Sequence, residues 1–311
     1  MANRTGVGLL GCVVLTGVLV ACGKGGGASP TAPSSTPSAS SGGQVAGCEV
    51  TTQSSALPLL DDPKSPYFDY IGVARSTDGA TATGFGEALA HASAPDGTRL
   101  PDGSTGVYYH NGETGGAVWL ARLTGTSLSP VAPITIDGVV RPRWVADINT
   151  DLVNGRVRMI YMVGDGRRRF CIAESTDGLT FTTRALAIEF SGTEADPTVV
   201  QLRDGSWLMA FSRENHTGIG FARSSDGLTF TQFSTATYGV VPELALTTDG
   251  RARLYVCGGG GVISLLSSDA GSTWTPEGTV IPRAATSRAI VCDPTYIAAD
   301  GIFVFKTTDA M

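Results

Sequence analysis

Residues 267–274 read "SSDAGSTW", and close relatives stand at 175–181 ("STDGLTF"), 224–230 ("SSDGLTF") and 76–79 ("STDG"). An acidic, hydroxyl-rich octet has three readings: a calcium loop, a ligand site or a tight turn. A calcium loop needs several oxygens converging on one ion, and each octet brings one carboxylate. A turn uses every conserved letter. The Ser and Asp side chains accept hydrogen bonds from backbone N–H groups inside the turn, and the Gly permits positive φ. The terminal Trp or Phe then packs between adjacent sheets.

The residues around the octets form a repeat. The clearest copy, 196–233, runs from "DPTVVQLRDG" through "SWLMAF" and "GIGFAR" to "SSDGLTF". It reads as four short strands joined by Gly/Asp turns, one antiparallel meander. Further copies cover 146–182 and 242–276, with a more worn one at 87–130. The octet serines 175, 224 and 267 are 49 and 43 residues apart. Four-stranded units at that period mark a β-propeller.

The last copy is cut short. Residues 292–311 supply two strands, and the missing half lies near the N-terminus. There "IGVARSTDG" (71–79) matches "IGFARSSDG" (219–227) at seven of nine positions. The expectation is an all-β, five-bladed propeller with blades at 87–130, 139–190, 194–237 and 240–283. The fifth joins 288–311 to 67–86, two strands from each end of the chain, which closes the ring and leaves no loose edge.

Composition agrees and excludes some partners. The chain has 311 residues, 41 of them Gly, with 16% charged residues, a net charge of -6 and a pI near 5.1. No basic patch dominates, so no nucleic-acid partner is expected; "GRRRF" (166–170) reads as a solvated hairpin tip. "CGGGG" (257–261) has no helix after it and reads as a hairpin, not a phosphate loop.

Arg4 is followed by an apolar run from Val7 to Ala21 and then Cys22, a pattern that fits a signal peptide over 1–21. The residues "LVAC" (19–22) resemble the lipobox of bacterial lipoproteins, which implies lipidation of Cys22 and a membrane anchor. Residues 22–47 are Gly/Ser/Pro-rich and read as a flexible tether to a propeller domain at 48–311. Gly23, directly after Cys22, carries no acidic retention signal, so an outer-membrane or cell-surface location is expected. Cys48, Cys171, Cys257 and Cys292 remain, an even count that suggests disulfides in one of three pairings. Their spacings, and only three His (91, 110 and 216), give no metal pattern, and no cofactor is expected. "DINTD" (147–151) has calcium-like spacing, but Arg158 stands where a bidentate Glu belongs, so it reads as a strand.

The octets resemble the Asp-boxes (BNR repeats) of sialidase-type propellers. The openings Asp196-Pro197 and Asp293-Pro294 resemble the five-bladed arabinanase, levansucrase and invertase superfamily, which includes the family 43 and family 32 glycoside hydrolases. The resemblance spans nearly all of 67–311 and is specific for fold rather than activity. It places ligands in the funnel around the axis, where the innermost strands begin. Reading those starts gives Glu87, Asp147, Asp196, Glu243 and Asp293, with Arg141, Arg143 and Trp144 just before Asp147. Glycoside hydrolysis needs two carboxylates in split roles. By blade order the resemblance implies Glu87 as base, Asp196 as the orienting acid and Glu243 as proton donor. Asp147, Asp293, Arg141, Arg143 and Trp144 are expected to bind substrate, Trp144 by stacking on a sugar. Two departures stand out: "GEALAH" replaces an Asp-Pro context at Glu87, and Glu243 sits two residues deeper than Asp196. A sialidase would recruit Arg141, Arg143, Arg213 and Arg288 to clamp a carboxylate. A non-catalytic propeller binding carbohydrate or protein, or a scaffold, fits the same residues. A carbohydrate ligand is the partner expected.

Overall fold

The octet serines fall at the ends of third strands, and each blade is built back from that point. The computed structural model describes residues 44–52, 58–143, 146–164 and 167–309. The expected signal peptide, Cys22, most of the tether and Trp144 lie outside them. Five four-stranded antiparallel sheets make a β-propeller. From the axis outward, blade 1 holds Ala92–Arg99, Thr105–Asn111, Ala117–Thr124 and Ser127–Pro133. Blade 2 holds Ala146–Val153, Arg156–Gly164, Arg168–Ser175 and Thr180–Phe190, with a small hairpin at 135–140 added parallel to its outer strand. Blade 3 holds Ala195–Gln201, Trp207–Ser212, Ile219–Ser224 and Thr231–Ala236. Blade 4 holds Val240–Leu246, Ala252–Gly258, Gly261–Ser267 and Thr275–Pro282. Blade 5 joins Ile290–Ile297 and Ile302–Thr308 to the N-terminal Asp69–Arg75 and Thr83–Ala90.

The closing register runs from Asp69 opposite Thr308 to Arg75 opposite Ile302. The split blade is therefore as predicted, but its boundary is not. The outer strand reaches Ala90, so blade 1 begins at Ala92 rather than at residue 87. The match between 71–79 and 219–227 has a packing cause. Phe305 lies opposite Gly72 and Phe211 opposite Gly220. A Cβ on either glycine would come within 2.4 Å of that ring. Each pair is a ring laid flat across a sheet, which only glycine permits.

Five apolar clusters fill the five gaps between neighbouring blades, including the gap across the closure, where Ile71, Val304 and Ile297 meet Ala92, Val107 and Tyr109. The octets clamp four of those gaps, all but the one between blades 5 and 1. Ser224 Oγ accepts from Gly227 N at 2.8 Å, and Asp226 Oδ1 accepts from Leu228 N at 2.8 Å and Thr229 N at 3.1 Å. The octets at Ser175, Ser267 and Ser76 repeat this bonding. Each turn sits against the second strand of the preceding blade. Tyr108 donates to Gly178 O and Tyr255 to Gly79 O, both at 2.8 Å. Trp274 stacks on Phe221 of blade 3 with centroids 5.4 Å apart. Two disulfides, Cys48–Cys171 and Cys257–Cys292, resolve the pairing. The first ties the segment before the propeller to blade 2, and the second ties blade 4 to blade 5.

Candidate functional site at the propeller mouth

All five innermost strands open with the same irregularity. Ala94, Asp147, Asp196, Val241 and Asp293 have φ between 44° and 53°, and at each the register with the second strand slips. These are β-bulges in a backbone region that non-Gly residues rarely adopt, repeated five times around the axis. The bulge turns one residue of each strand toward the mouth and places the residue two positions on in a second ring below. The upper ring is Ala94, Asp147, Asp196, Val241 and Asp293; the lower is Asp96, Asn149, Thr198, Glu243 and Thr295.

The lower ring is a closed polar plug. Asp96 accepts from Thr150 N, Asn149 Oδ1 from Val199 N, Thr198 Oγ1 from Leu244 N and Thr295 Oγ1 from Gly97 N, at 2.6, 2.9, 2.9 and 3.4 Å. Each of these bonds joins one blade to the next. Glu243 reaches inward, accepting from Asn149 Nδ2 at 3.2 Å, Thr198 Oγ1 at 2.9 Å and Thr295 Oγ1 at 3.3 Å. The same Asn149 Nδ2 donates to Asp96 at 3.1 Å. Burial pushes the Asp96 carboxyl up to about 7. Burial, and then the charge of Asp96, hold Glu243 well above the usual carboxylate range. These two acids knit the ring from within.

The upper ring has a different character. Asp147, Asp196 and Asp293 stand around a small depression whose floor is Asp96 and Glu243. Asp147 Oδ2 accepts from Asp196 N at 3.3 Å. Asp196 Oδ2 lies 3.3 Å from His216 Nε2, and Asp293 Oδ2 lies 2.6 Å from Lys306 Nζ. Burial, reinforced by the charges of Asp196 and Asp293, raises the Asp147 carboxyl to about 8, so it holds a proton at neutral pH. His216 is raised by its bond to Asp196. Burial opposes the Lys306 charge, but Asp293, Asp69 and Asp196 outweigh it and hold the ammonium above the usual lysine range. His110, on the second strand of blade 1, is held neutral by burial and bonds Gly116 O through Nδ1 at 2.9 Å. Three carboxyls with different partners around one opening can split the roles of acid and base.

The predicted residues divide accordingly. Asp147, Asp196 and Asp293 meet at the mouth. Glu243 lies beneath them, only 8% exposed and fully hydrogen-bonded. Glu87 does not reach the funnel. It sits on the outermost strand of blade 5, opposite Gly72, and its Oε1 lies 2.8 Å from Arg288 Nε. Physically, residues 83–90 finish the closing blade before the chain crosses to the axis. Asp96 takes the first blade's place in the lower ring. No arginine lines the depression among the described residues. Arg288 is engaged by Glu87 and Asp309 and stacks over Tyr70 at 3.6 Å, so it does not join a carboxylate clamp. Arg143 pairs backbone to backbone with Thr51, and Arg141 precedes it with φ of 50°. Lys306, His216 and Asp96 were not expected at the axis. One signal was present: Ala94-Pro95 and Val241-Pro242 carry the same X-Pro opening as Asp196-Pro197 and Asp293-Pro294.

No protein-family model and no curated protein sequence matches the chain. Among solved structures, it is similar to a protein of unknown function from Dyadobacter fermentans, with a TM-score of 0.55 and 16% identity over 79% of this chain and 85% of that one. It is similar to a GH43 enzyme from Xanthomonas citri in complex with xylotriose, with a TM-score of 0.51 and 12% identity over 76% and 90%. A fructofuranosidase from Schwanniomyces occidentalis, complexed with fructose, gives a TM-score of 0.48 at 14% identity, and the chain spans 47% of it. The likeness to the first two is one of fold alone.

Proposed function

We propose that this propeller hydrolyses glycosidic bonds of an uncharged glycan at its mouth. The observation that carries this reading is three carboxyls around one opening, Asp147 buried against Asp196 and raised by that burial, with Asp196 and Asp293 each beside a basic side chain. Asp147 gives its proton to the glycosidic oxygen. Asp196 and Asp293, held by His216 and Lys306, stabilise positive charge at the anomeric carbon and take the proton of the attacking water. Among the described residues no arginine lines the depression, so no clamp for a carboxylate-bearing sugar is assembled there, which favours neutral substrates over sialic acids. The depression between the carboxyls encloses about 40 Å³, room for water rather than a whole sugar ring. The glycan therefore lies across the mouth and presents one linkage to the carboxyls.

A second reading, carbohydrate binding without turnover, is favoured by the cationic partner that Asp196 and Asp293 each already possess. A screen of arabinan, xylan, levan and aryl-glycosides with wild type and Glu243→Gln separates the readings. Hydrolysis that survives Glu243→Gln supports the mouth as the site. Binding without product supports the second reading. Loss of hydrolysis in a folded Glu243→Gln would return the acid to Glu243.

The reading includes location. Cys22 carries the lipid, and the tether holds the domain off an extracytoplasmic membrane surface. Two disulfides support an oxidising compartment. The octets, read as Asp-boxes, are clamps between blades and take no part in ligand binding. Metabolic labelling with a radiolabelled fatty acid tests the anchor, the label being lost in Cys22→Ala.

A further inference from the structure

The run "CGGGG" at 257–261 is the hairpin between the second and third strands of blade 4, with Gly258 opposite Gly261. The fold requires only the last of its four glycines. Gly261 is buried with φ of 122°, and a Cβ there would collide with Ile281 O. Gly258, Gly259 and Gly260 are exposed, and none has φ in the left-handed region. A Cβ on Gly258 would meet only Gly261 O, at 3.8 Å, and one on Gly259 or Gly260 would meet nothing within 4 Å. Three successive glycines add to the entropy lost on folding, and here no left-handed turn or close internal contact calls for them. The use of glycine that remains is to let a ligand come close to the backbone.

The hairpin is held beside the mouth. Cys257 lies opposite Val240 and is disulfide-bonded to Cys292; the residues after these two, Val241 and Asp293, both line the depression. At the turn, Gly260 O accepts from Arg283 N at 2.9 Å. The N–H groups of Gly259 and Gly260 make no hydrogen bond within the protein among the described residues, which leaves two donors for an incoming hydroxyl. The matching loops of blades 1 and 3 are longer, at 112–116 and 213–218, and the second carries His216 to Asp196. The two-residue turn of blade 4 sends no side chain over the mouth.

We propose that a glycan held at the mouth continues outward over blade 4, its sugar rings lying on the peptides of Gly258, Gly259 and Gly260. The inference rests on the reading of the mouth as a glycan site and adds the path of the chain beyond it. The C–H face of a sugar ring lies against backbone that carries no Cβ, and hydroxyls at its edge accept from the two N–H groups. With uncharged donors and no side chain, the hairpin itself suits a neutral, hydroxyl-bearing chain. The substrate is then an oligosaccharide or polysaccharide that spans mouth and hairpin, rather than a short glycoside.

The test compares wild type with Gly258→Val and Gly259→Leu on xylo-, arabino- and fructo-oligosaccharides of two to six residues and on the matching aryl-glycosides. Affinity is read by calorimetry, and kcat/KM wherever a sugar is turned over. Wild type is expected to gain with chain length, and each variant to lose about tenfold on the hexasaccharide but less than about twofold on the aryl-glycoside. Melting temperatures are expected to equal or exceed that of wild type, since the space is open and glycine is replaced. Length-dependent binding that the variants lose, in a protein that hydrolyses nothing, would support this path and count against turnover at the mouth. The proposal is overturned if wild type gains nothing with chain length, if the folded variants treat hexasaccharides as wild type does, or if long and short sugars lose equally.

Discussion

The plug on the axis ties the stability of the ring to pH, and Glu243→Gln tests that link. The Asp96 carboxyl moves from 3.8 in the unfolded chain to about 7 in the fold because it is buried. A raised acid contributes stability that is fully present below its unfolded value and is lost as pH rises through its folded value. A rise of that size corresponds to about 4 kcal/mol, lost between roughly pH 4 and pH 7. Glu243 shifts in the same direction and adds to the loss, as does Asp147, raised to about 8. The octet acids work the other way. Asp226 and Asp269 are lowered to about 2 by backbone and hydroxyl donors, so their contribution fades as pH falls below 4. His110, held neutral, also opposes acid. Stability should therefore peak in mild acid and decline toward pH 8. In Glu243→Gln the amide keeps the acceptor for Asn149 and Thr198, and Thr295 turns from donor to acceptor. The like charge next to Asp96 is gone, so the decline should be visibly shallower. Urea unfolding at pH 5, 6.5 and 8 measures both slopes. A wild-type curve that rises from pH 5 to 8, or a variant with the wild-type slope, would refute the reasoning.

Two further perturbations address the closure and the packing. Arg288→Ala removes two largely exposed ion pairs and the stack on Tyr70, which join both ends of the chain; a loss of about 1–2 kcal/mol in unfolding free energy is expected, smaller at high salt. Gly220→Ala drives a methyl into the Phe211 ring and should cost about 1–3 kcal/mol by the same assay, whereas alanine at the open Gly86 should cost far less.

The fold was legible because its repeat unit carries punctuation. Ser-x-Asp turns closed by a glycine recur in four of the five blades, and the orphan copy at 76–79 revealed which blade was split. The glycine opposite each phenylalanine explains why "IGVARS" and "IGFARS" survive as a recognisable pair. The site was half legible. Asp147, Asp196 and Asp293 sit where the starts of the innermost strands were read. Glu87 was misplaced because "TGFGEALA" (83–90) has the look of a strand beginning a blade. Sequence periodicity does not say whether a strand is innermost or outermost, since both alternate. The bulge that decides this is a backbone feature, and at Ala94 and Val241 it has no side-chain signature. The proline that follows each of them, eight residues before the hairpin glycine, was the usable mark. Lys306 and His216 could not be placed, because their role depends on which strands and loops the ring brings together.

The central claim is that Asp147 acts as the proton donor, and its pH–activity profile tests that most directly. With a neutral aryl-glycoside or oligosaccharide that the wild type turns over, kcat/KM should fall along an alkaline limb near pH 8, where Asp147 loses its proton. Asp147→Asn should lower activity by about 100-fold or more while the fold and sugar binding persist. An alkaline limb unchanged in Asp147→Asn, with wild-type rates, would contradict the account.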